Sequence, residues 1–149
     1  MRILFVCTGN TCRSPLAEAI TRRILAASGK VNVIVESAGT QAWQGAPASD
    51  EALLLGVERN LDLSSHRSRR VTREMVEASD LVLVMSPEHL AQVRELDSTA
   101  NAYLLAGYGS EEGARAIADP FGGDLDDYRE TADELESELT GILDRIRAV

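Results

Sequence analysis

Cys7 and Arg13, with five residues between them and Ser14 directly after, put a nucleophile and an anion receptor into one short segment, Cys7-Thr8-Gly9-Asn10-Thr11-Cys12-Arg13-Ser14. An apolar run, Ile3-Leu4-Phe5-Val6, precedes it, and Pro15 opens a helical pattern after it. A thiol at the mouth of a helix lies among backbone N–H groups with no intrahelical partner and at the positive end of the helix dipole. Its thiolate is therefore expected to be favoured. The intervening residues can turn their amides into a concave nest for an anion. Gly9 and Asn10 are the loop residues best suited to the positive φ that such a curl requires. Arg13 would close this P-loop with a planar fork matched to phosphate oxygens. A cation at a helix N-terminus is otherwise out of place, and a bound anion removes the conflict. Thr8, Gly9, Asn10, Thr11, Cys12, Arg13 and Ser14 are thus the expected phosphate-binding set. Cys7 would attack phosphorus in line and take the phosphoryl group as a thiophosphate, while Arg13 stabilises the equatorial charge of the transition state.

Such chemistry needs a proton donor for the leaving group, which calls for a carboxylic acid across the pocket. Asp119, stiffened by Pro120 in a glycine-flanked loop, is the candidate, although the Asp-Pro pair taken alone reads as the start of a turn. Ser14 either caps the helix or both caps it and donates its hydroxyl to Cys7. Cys12 has no Cys/His cluster with which to hold zinc. It is open between a bystander and a redox partner that bridges to Cys7 under oxidants and guards it from over-oxidation. His66, among Arg67, Arg69 and Arg70, is expected to hold backbone groups rather than act as a general base. His89, in a first helical turn after Pro87, is expected at the surface. Trp43, the only tryptophan, either walls the pocket or covers the core. Asp124, Asp126 and Asp127 suit a helix N-terminus, not a metal site.

The elements that must hold these residues alternate between strand and helix. Ile3 to Val6 is short and continuously apolar, as a strand buried on both faces should be. Leu16, Ile20, Ile24 and Ala27 recur at helical spacing, and Gly29 ends the pattern. Val31 to Val35 is strand-like and leads into Ser37-Ala38-Gly39; Thr40 to Pro47 is loop. Helices are predicted near 48–59, 72–79 and 87–95, and strands over Leu81–Met85 and Ala102–Leu105. Gly107 to Gly123 is a long glycine-rich loop, of the kind that is often functional. Ala132, Leu135, Leu139, Ile142 and Ile146 give a last helix one apolar stripe. The expected fold is a single α/β domain over 1–149, a four-stranded parallel sheet with helices on both faces. Ligands in such folds bind beyond the carboxyl ends of the strands, where the Cys7 loop lies.

A net charge of −9 over 149 residues argues against nucleic acid and against anionic membranes. The phosphate site must be cationic locally. No apolar stretch has signal-peptide or membrane-spanning length, so the chain is expected in the cytoplasm. Two cysteines inside one loop make no disulfide framework and fit reactive thiols in a reducing compartment.

The sequence resembles the low-molecular-weight protein tyrosine phosphatase family, whose fold is a flavodoxin-like three-layer sandwich. The likeness runs through the Cys7–Ser14 loop, Ser37-Ala38-Gly39, Trp43, His66-Arg67-Ser68-Arg69 and Asp119-Pro120. It implies Cys7 as nucleophile, Arg13 as phosphate binder, and Asp119 as general acid that later activates water. It also implies a loop-supporting network of Asn10, Ser14, Ser37 and His66, with no metal or other cofactor. Two departures stand out. Thr11 occupies a place where tyrosine-directed members carry a larger aliphatic residue, and Phe121-Gly122-Gly123 follows Asp119-Pro120 where they show a tyrosine pair. Both features resemble the protein arginine phosphatase branch. A threonine hydroxyl can meet a polar, planar guanidinium, whereas an aromatic ring prefers an apolar wall. Thr11, Trp43 and Phe121 are therefore the expected pocket walls, Phe121 stacking on the guanidinium plane. The expected activity is hydrolysis of phosphoarginine in proteins, releasing inorganic phosphate. A protein tyrosine phosphatase is the alternative, and a thiol-dependent arsenate reductase or a non-catalytic phosphate-binding module the weaker rivals.

Overall fold

The structure is a computed structural model and describes residues 1–30, 32–109 and 113–147. In chain order it forms β1 (Arg2–Cys7), α1 (Arg13–Ala27), β2 (Ile34–Gly39), α2 (Asp50–Arg59), α3 (Arg73–Ala78), β3 (Leu81–Val84), α4 (Pro87–Leu96), β4 (Ala102–Leu104) and α5 (Leu125–Arg147). The strands make one parallel sheet in the order β2-β1-β3-β4. This is the architecture expected from the alternation of strand and helix.

Side chains of β1 alternate between two cores. Ile3, Phe5 and Cys7 pack with Leu16 and Ile20 of α1 and Leu135 and Leu139 of α5. Leu4 and Val6 pack on the other face with Val76 of α3 and Val93 of α4. Both faces are covered, which is why the strand reads as an unbroken apolar run. From β1 the chain first adds β2 on one side and later β3 on the other. The carboxyl end of β1 therefore opens onto the crevice where the winding reverses, the general place for a ligand in such sheets.

Two local differences from expectation have physical causes. The second strand starts at Ile34 and runs through Gly39, because its ladder with β1 continues from Arg2–Ile34 to Cys7–Gly39; Val31 lies outside the described residues. Polar Ser37 is tolerated inside this strand because its hydroxyl accepts a hydrogen bond from Asn10 at 3.0 Å. Helix α1 starts at Arg13, two residues earlier than a Ser14 cap would require, and its capping position, Cys12, makes no side-chain cap. At the start of α5 the acidic run behaves as expected. Asp124 and Asp127 cap one another reciprocally, each carboxylate accepting from the other's backbone N–H at 3.0 Å.

The segment before α5 is tied to the sheet by Ile117, whose N–H donates to the Met85 carbonyl at 2.7 Å, just past β3. Gly39, at the end of β2, lies against the Cys7 loop. A Cβ there would overlap the Thr8 carbonyl oxygen and come within 2.9 Å of the Asn10 nitrogen. Gly39→Ala must therefore displace the loop. It is expected to cost about 1–3 kcal/mol of stability, and to lower kcat/KM disproportionately, which denaturation and steady-state kinetics on one preparation will compare.

Candidate active site

Cys7 ends β1 and is buried. The loop after it turns on Asn10, which has a left-handed backbone, φ 56°. Gly9 does not adopt positive φ, contrary to expectation; one left-handed residue is enough to curl the loop. Asn10 is held on every polar side. Its Nδ2 donates to Ser14 Oγ at 2.8 Å and to Ser37 Oγ at 3.0 Å, and its Oδ1 accepts from the Arg69 N–H at 3.0 Å. Its carbonyl oxygen lies 2.6 Å from His66 Nε2. His66 thus holds a backbone group, as the sequence suggests. The Asn10 N–H donates to Cys7 Sγ at 3.3 Å, and Ser14 Oγ lies 2.9 Å from the same sulfur.

Arg13 is 6 % exposed. Its Nη1 donates to the Ile117 carbonyl at 2.9 Å across 104 positions of sequence, and its Nη2 lies 3.5 Å from Asp119 Oδ2. Asp119 is half exposed, and its Oδ1 accepts from the Phe121 N–H at 3.0 Å. Buried Ile117 is the hinge pin. By bonding both Met85 and Arg13 it carries the late acid to the mouth of the Cys7 loop.

Other expected residues fall into place or are corrected. Ser14 does not cap α1; its hydroxyl is turned to Cys7 and Asn10 instead, because the helix already starts before it. Trp43 is 84 % exposed, so it does not cover the core. It sits in the loop that follows β2, where the Thr40 and Gln41 amides donate to the Cys7 and Thr8 carbonyls, both at 2.9 Å. Phe121 is 71 % exposed, and Thr11 is partly buried. Cys12 is buried, with Sγ 3.2 Å from Tyr128 Oη and 3.5 Å from Ser49 Oγ, and both cysteines are free. His89 is only 3 % exposed, not a surface residue. The first turn of α4 tucks it under the loop, with Nε2 2.8 Å from Thr8 Oγ1 and Nδ1 2.9 Å from Ser86 Oγ.

Residues 2–149 match the family model described as low molecular weight phosphotyrosine protein phosphatase. The chain belongs to this family. Among curated relatives, a protein-arginine-phosphatase of Bacillus subtilis (strain 168) is 37 % identical, covering 99 % of this chain and 97 % of its own. The low molecular weight protein-tyrosine-phosphatase PtpB of Staphylococcus haemolyticus is 39 % identical over 91 % of this chain and 92 % of its own. Among solved structures, a YwlE arginine phosphatase mutant with a phosphorylated active-site serine superposes with a TM-score of 0.91. It is 36 % identical and covers 99 % of this chain and 96 % of that one.

Within this family member, sequence reasoning passed over His89, Ser86, Tyr128 and Ser49 as site residues. Nothing in their local pattern marks them, since His89, Tyr128 and Ser49 reach the loop only through tertiary packing and Ser86 only through His89. The electrostatics of Cys7 also differ from expectation. Burial is the largest influence and pushes the thiol up. Against it act the Ser14 hydroxyl and amide, the Arg13 charge and the Asn10 amide, all of which favour the anion. The Ser14 amide belongs to the first turn of α1, so the helix N-terminus does aim a donor at the sulfur; dehydration outweighs it in the closed pocket. Ser14→Ala removes the foremost of the lowering influences. The pH midpoint for alkylation of Cys7 by iodoacetamide is expected to move upward in this variant, and an unchanged or lower midpoint would contradict the assignment.

Proposed function

We propose that the protein is a phosphatase that hydrolyses phosphoarginine in other proteins through a phosphocysteine at Cys7. The observation that carries the reading is the convergence on Arg13: the anion loop around Cys7 on one side, and Asp119 Oδ2 at 3.5 Å on the other. Cys7 reacts as the thiolate, the form that the Ser14 hydroxyl and amide, the Arg13 charge and the Asn10 amide favour; its sulfur forms a bond to phosphorus as the P–N bond breaks, and Asp119 passes its proton to the departing guanidine nitrogen. Water then attacks the thiophosphate, Asp119 takes a proton back, and inorganic phosphate leaves from the restored thiolate. No cofactor enters this balance. The phosphoryl oxygens would be received by the amides of Thr8 to Ser14 and by Arg13, which must loosen its contact with Asp119 to do so. The phosphorylated active-site serine in the YwlE mutant supports phosphoryl transfer to a side chain in a related site.

Arginine rather than tyrosine is supported by the walls. Thr11 offers a hydroxyl instead of a larger aliphatic side chain, and Phe121 is followed by glycines rather than by aromatic residues. Beside Asp119 runs a cleft of about 470 Å³ whose lining includes Asp127, Glu130 and Glu134. Negative surroundings favour a leaving group that becomes a guanidinium cation over a neutral phenol. Similarity to PtpB favours a second reading, a protein tyrosine phosphatase. The reaction is assigned to the cytoplasm, where thiols stay reduced, with phosphorylated proteins as partners and neither nucleic acid nor membrane.

The deciding measurement compares kcat/KM on a phosphoarginine protein and a phosphotyrosine peptide, with Cys7→Ser as the dead control. A preference for phosphoarginine is expected, and a preference for phosphotyrosine selects the second reading. Thr11→Ile should shift the ratio toward tyrosine by about tenfold or more. Asp119→Ala should slow turnover by about a hundredfold, whereas a protein that merely binds phosphate would be indifferent to the change.

A further inference from the structure

His89 is a buried titratable group that the reaction above does not use, yet it touches the residue next to the nucleophile. Its proton can be located from its neighbours. The Glu88 carboxylate accepts from the Ser86 hydroxyl at 2.6 Å, which commits the only proton on Ser86 Oγ. Ser86 Oγ must then accept from His89, so Nδ1, 2.9 Å away, carries the hydrogen. In a neutral ring Nε2 is left bare, and it accepts from the Thr8 hydroxyl at 2.8 Å. Every donor in the chain Thr8–His89–Ser86–Glu88 has one acceptor.

We propose that His89 is a positioning residue for catalysis, which in its neutral, Nδ1-protonated form anchors Thr8 and with it the backbone adjoining Cys7. The Thr8–Asn10 stretch is also held from the β2 side, through Ser37, His66 and Arg69 on Asn10 and through Gln41 on the Thr8 carbonyl. His89 supplies an anchor from the β3–α4 side, so the two walls of the crevice grip the loop between them. The titratable groups that face it are Arg13 from α1, Glu88 from its own helix and Asp119 from the segment before α5. Burial first and the Arg13 charge second push the imidazole down to about 4, against Glu88 and Asp119. Ser86 meanwhile keeps Glu88 below the usual carboxylate range. Protonating Nε2 would take the acceptor from Thr8 and set a second cation beside Arg13.

Coupling and tautomer together test this. The inference rests on the cysteine nucleophile and not on which phosphorylated side chain is cleaved, so a small aryl phosphate serves as substrate. Thr8→Val, which is nearly isosteric, and His89→Gln should each lower kcat/KM by about tenfold, and the double variant should fall no further than the worse single one. Thr8→Ser, which keeps the hydroxyl, should lose less than Thr8→Val. Imidazole nitrogen NMR of the wild-type protein, which needs no turnover, should show the hydrogen on Nδ1 and a ring that stays neutral until the pH nears about 4. Singles within twofold of wild type, losses that multiply in the double variant, or a hydrogen resident on Nε2 would each overturn the proposal. A wild-type protein inactive on every phosphorylated substrate would instead sink the phosphatase reading, and the NMR result would still judge His89.

Discussion

Asn10 adopts a backbone conformation that side chains resist, and it does so with no exposure to water. The left-handed region costs an L-residue about 1–2 kcal/mol, and an asparagine buried without partners would add the desolvation of its amide. Both costs are met because each side-chain polar atom and the carbonyl has a partner, from Ser14, Ser37, Arg69 and His66. At about 1 kcal/mol net for each bond, more where an unmade bond would leave a buried group unsatisfied, the bonds exceed the strain. The curl of the loop is thus imposed by contacts from β1, α1, β2 and the segment before α3. The amide of the same residue is thereby aimed at Cys7 sulfur. Breaking any one of these bonds leaves a buried N–H or oxygen of Asn10 unsatisfied.

A second consequence concerns charge. Sulfur, guanidinium and hydroxyls meet in a space from which water is largely excluded, since Cys7, Arg13 and Ser14 are all buried. Low local dielectric raises the thiol, but it also strengthens every donor aimed at an incoming anion. Arg13 is anchored through Nη1 on the Ile117 carbonyl, so its orientation is set before any ligand arrives and only its Nη2 contact with Asp119 must loosen on binding. The same bond is the reason a distant acid reaches the site. Because Ile117 is also pinned to Met85, the position of Asp119 depends on the end of β3 and on Arg13 together. A shift of either would move the acid relative to sulfur.

This division explains what the sequence could disclose. The chemistry was legible because Cys7, Asn10, Arg13 and Ser14 lie in one continuous segment whose local geometry is set by a strand end and a helix start. The sheet was legible because Ile3–Val6 and Leu81–Val84, buried on both faces, carry an uninterrupted apolar signal. Asp119 was legible only through the family likeness; as a dipeptide it carries no more than a turn, and its place depends on a hydrogen bond from Arg13 to another residue's carbonyl. His89 was misjudged for a related reason. Its neighbours Pro87 and Glu88 are exposed, and nothing in α4 reveals that this one side chain points under a loop formed eighty-one positions earlier. Gly9 was misjudged in the opposite sense, since composition offers two residues able to turn left-handed and the fold needs only one.

The contrast between the two cysteines follows from the same packing. Cys7 faces donors and a cation, whereas Cys12 is engaged by the Tyr128 and Ser49 hydroxyls, which also bond each other at 3.1 Å. Burial, the chief influence on the Tyr128 phenol, pushes it up and keeps it protonated. A bridge to Cys7 would require Cys12 to give up both hydroxyls, leaving the Tyr128 oxygen with Ser49 alone in a buried setting. The arrangement therefore separates the tasks. The network around Asn10 aims donors at the first thiol, and the Tyr128–Ser49 pair, reaching in from α5 and the start of α2, holds the second.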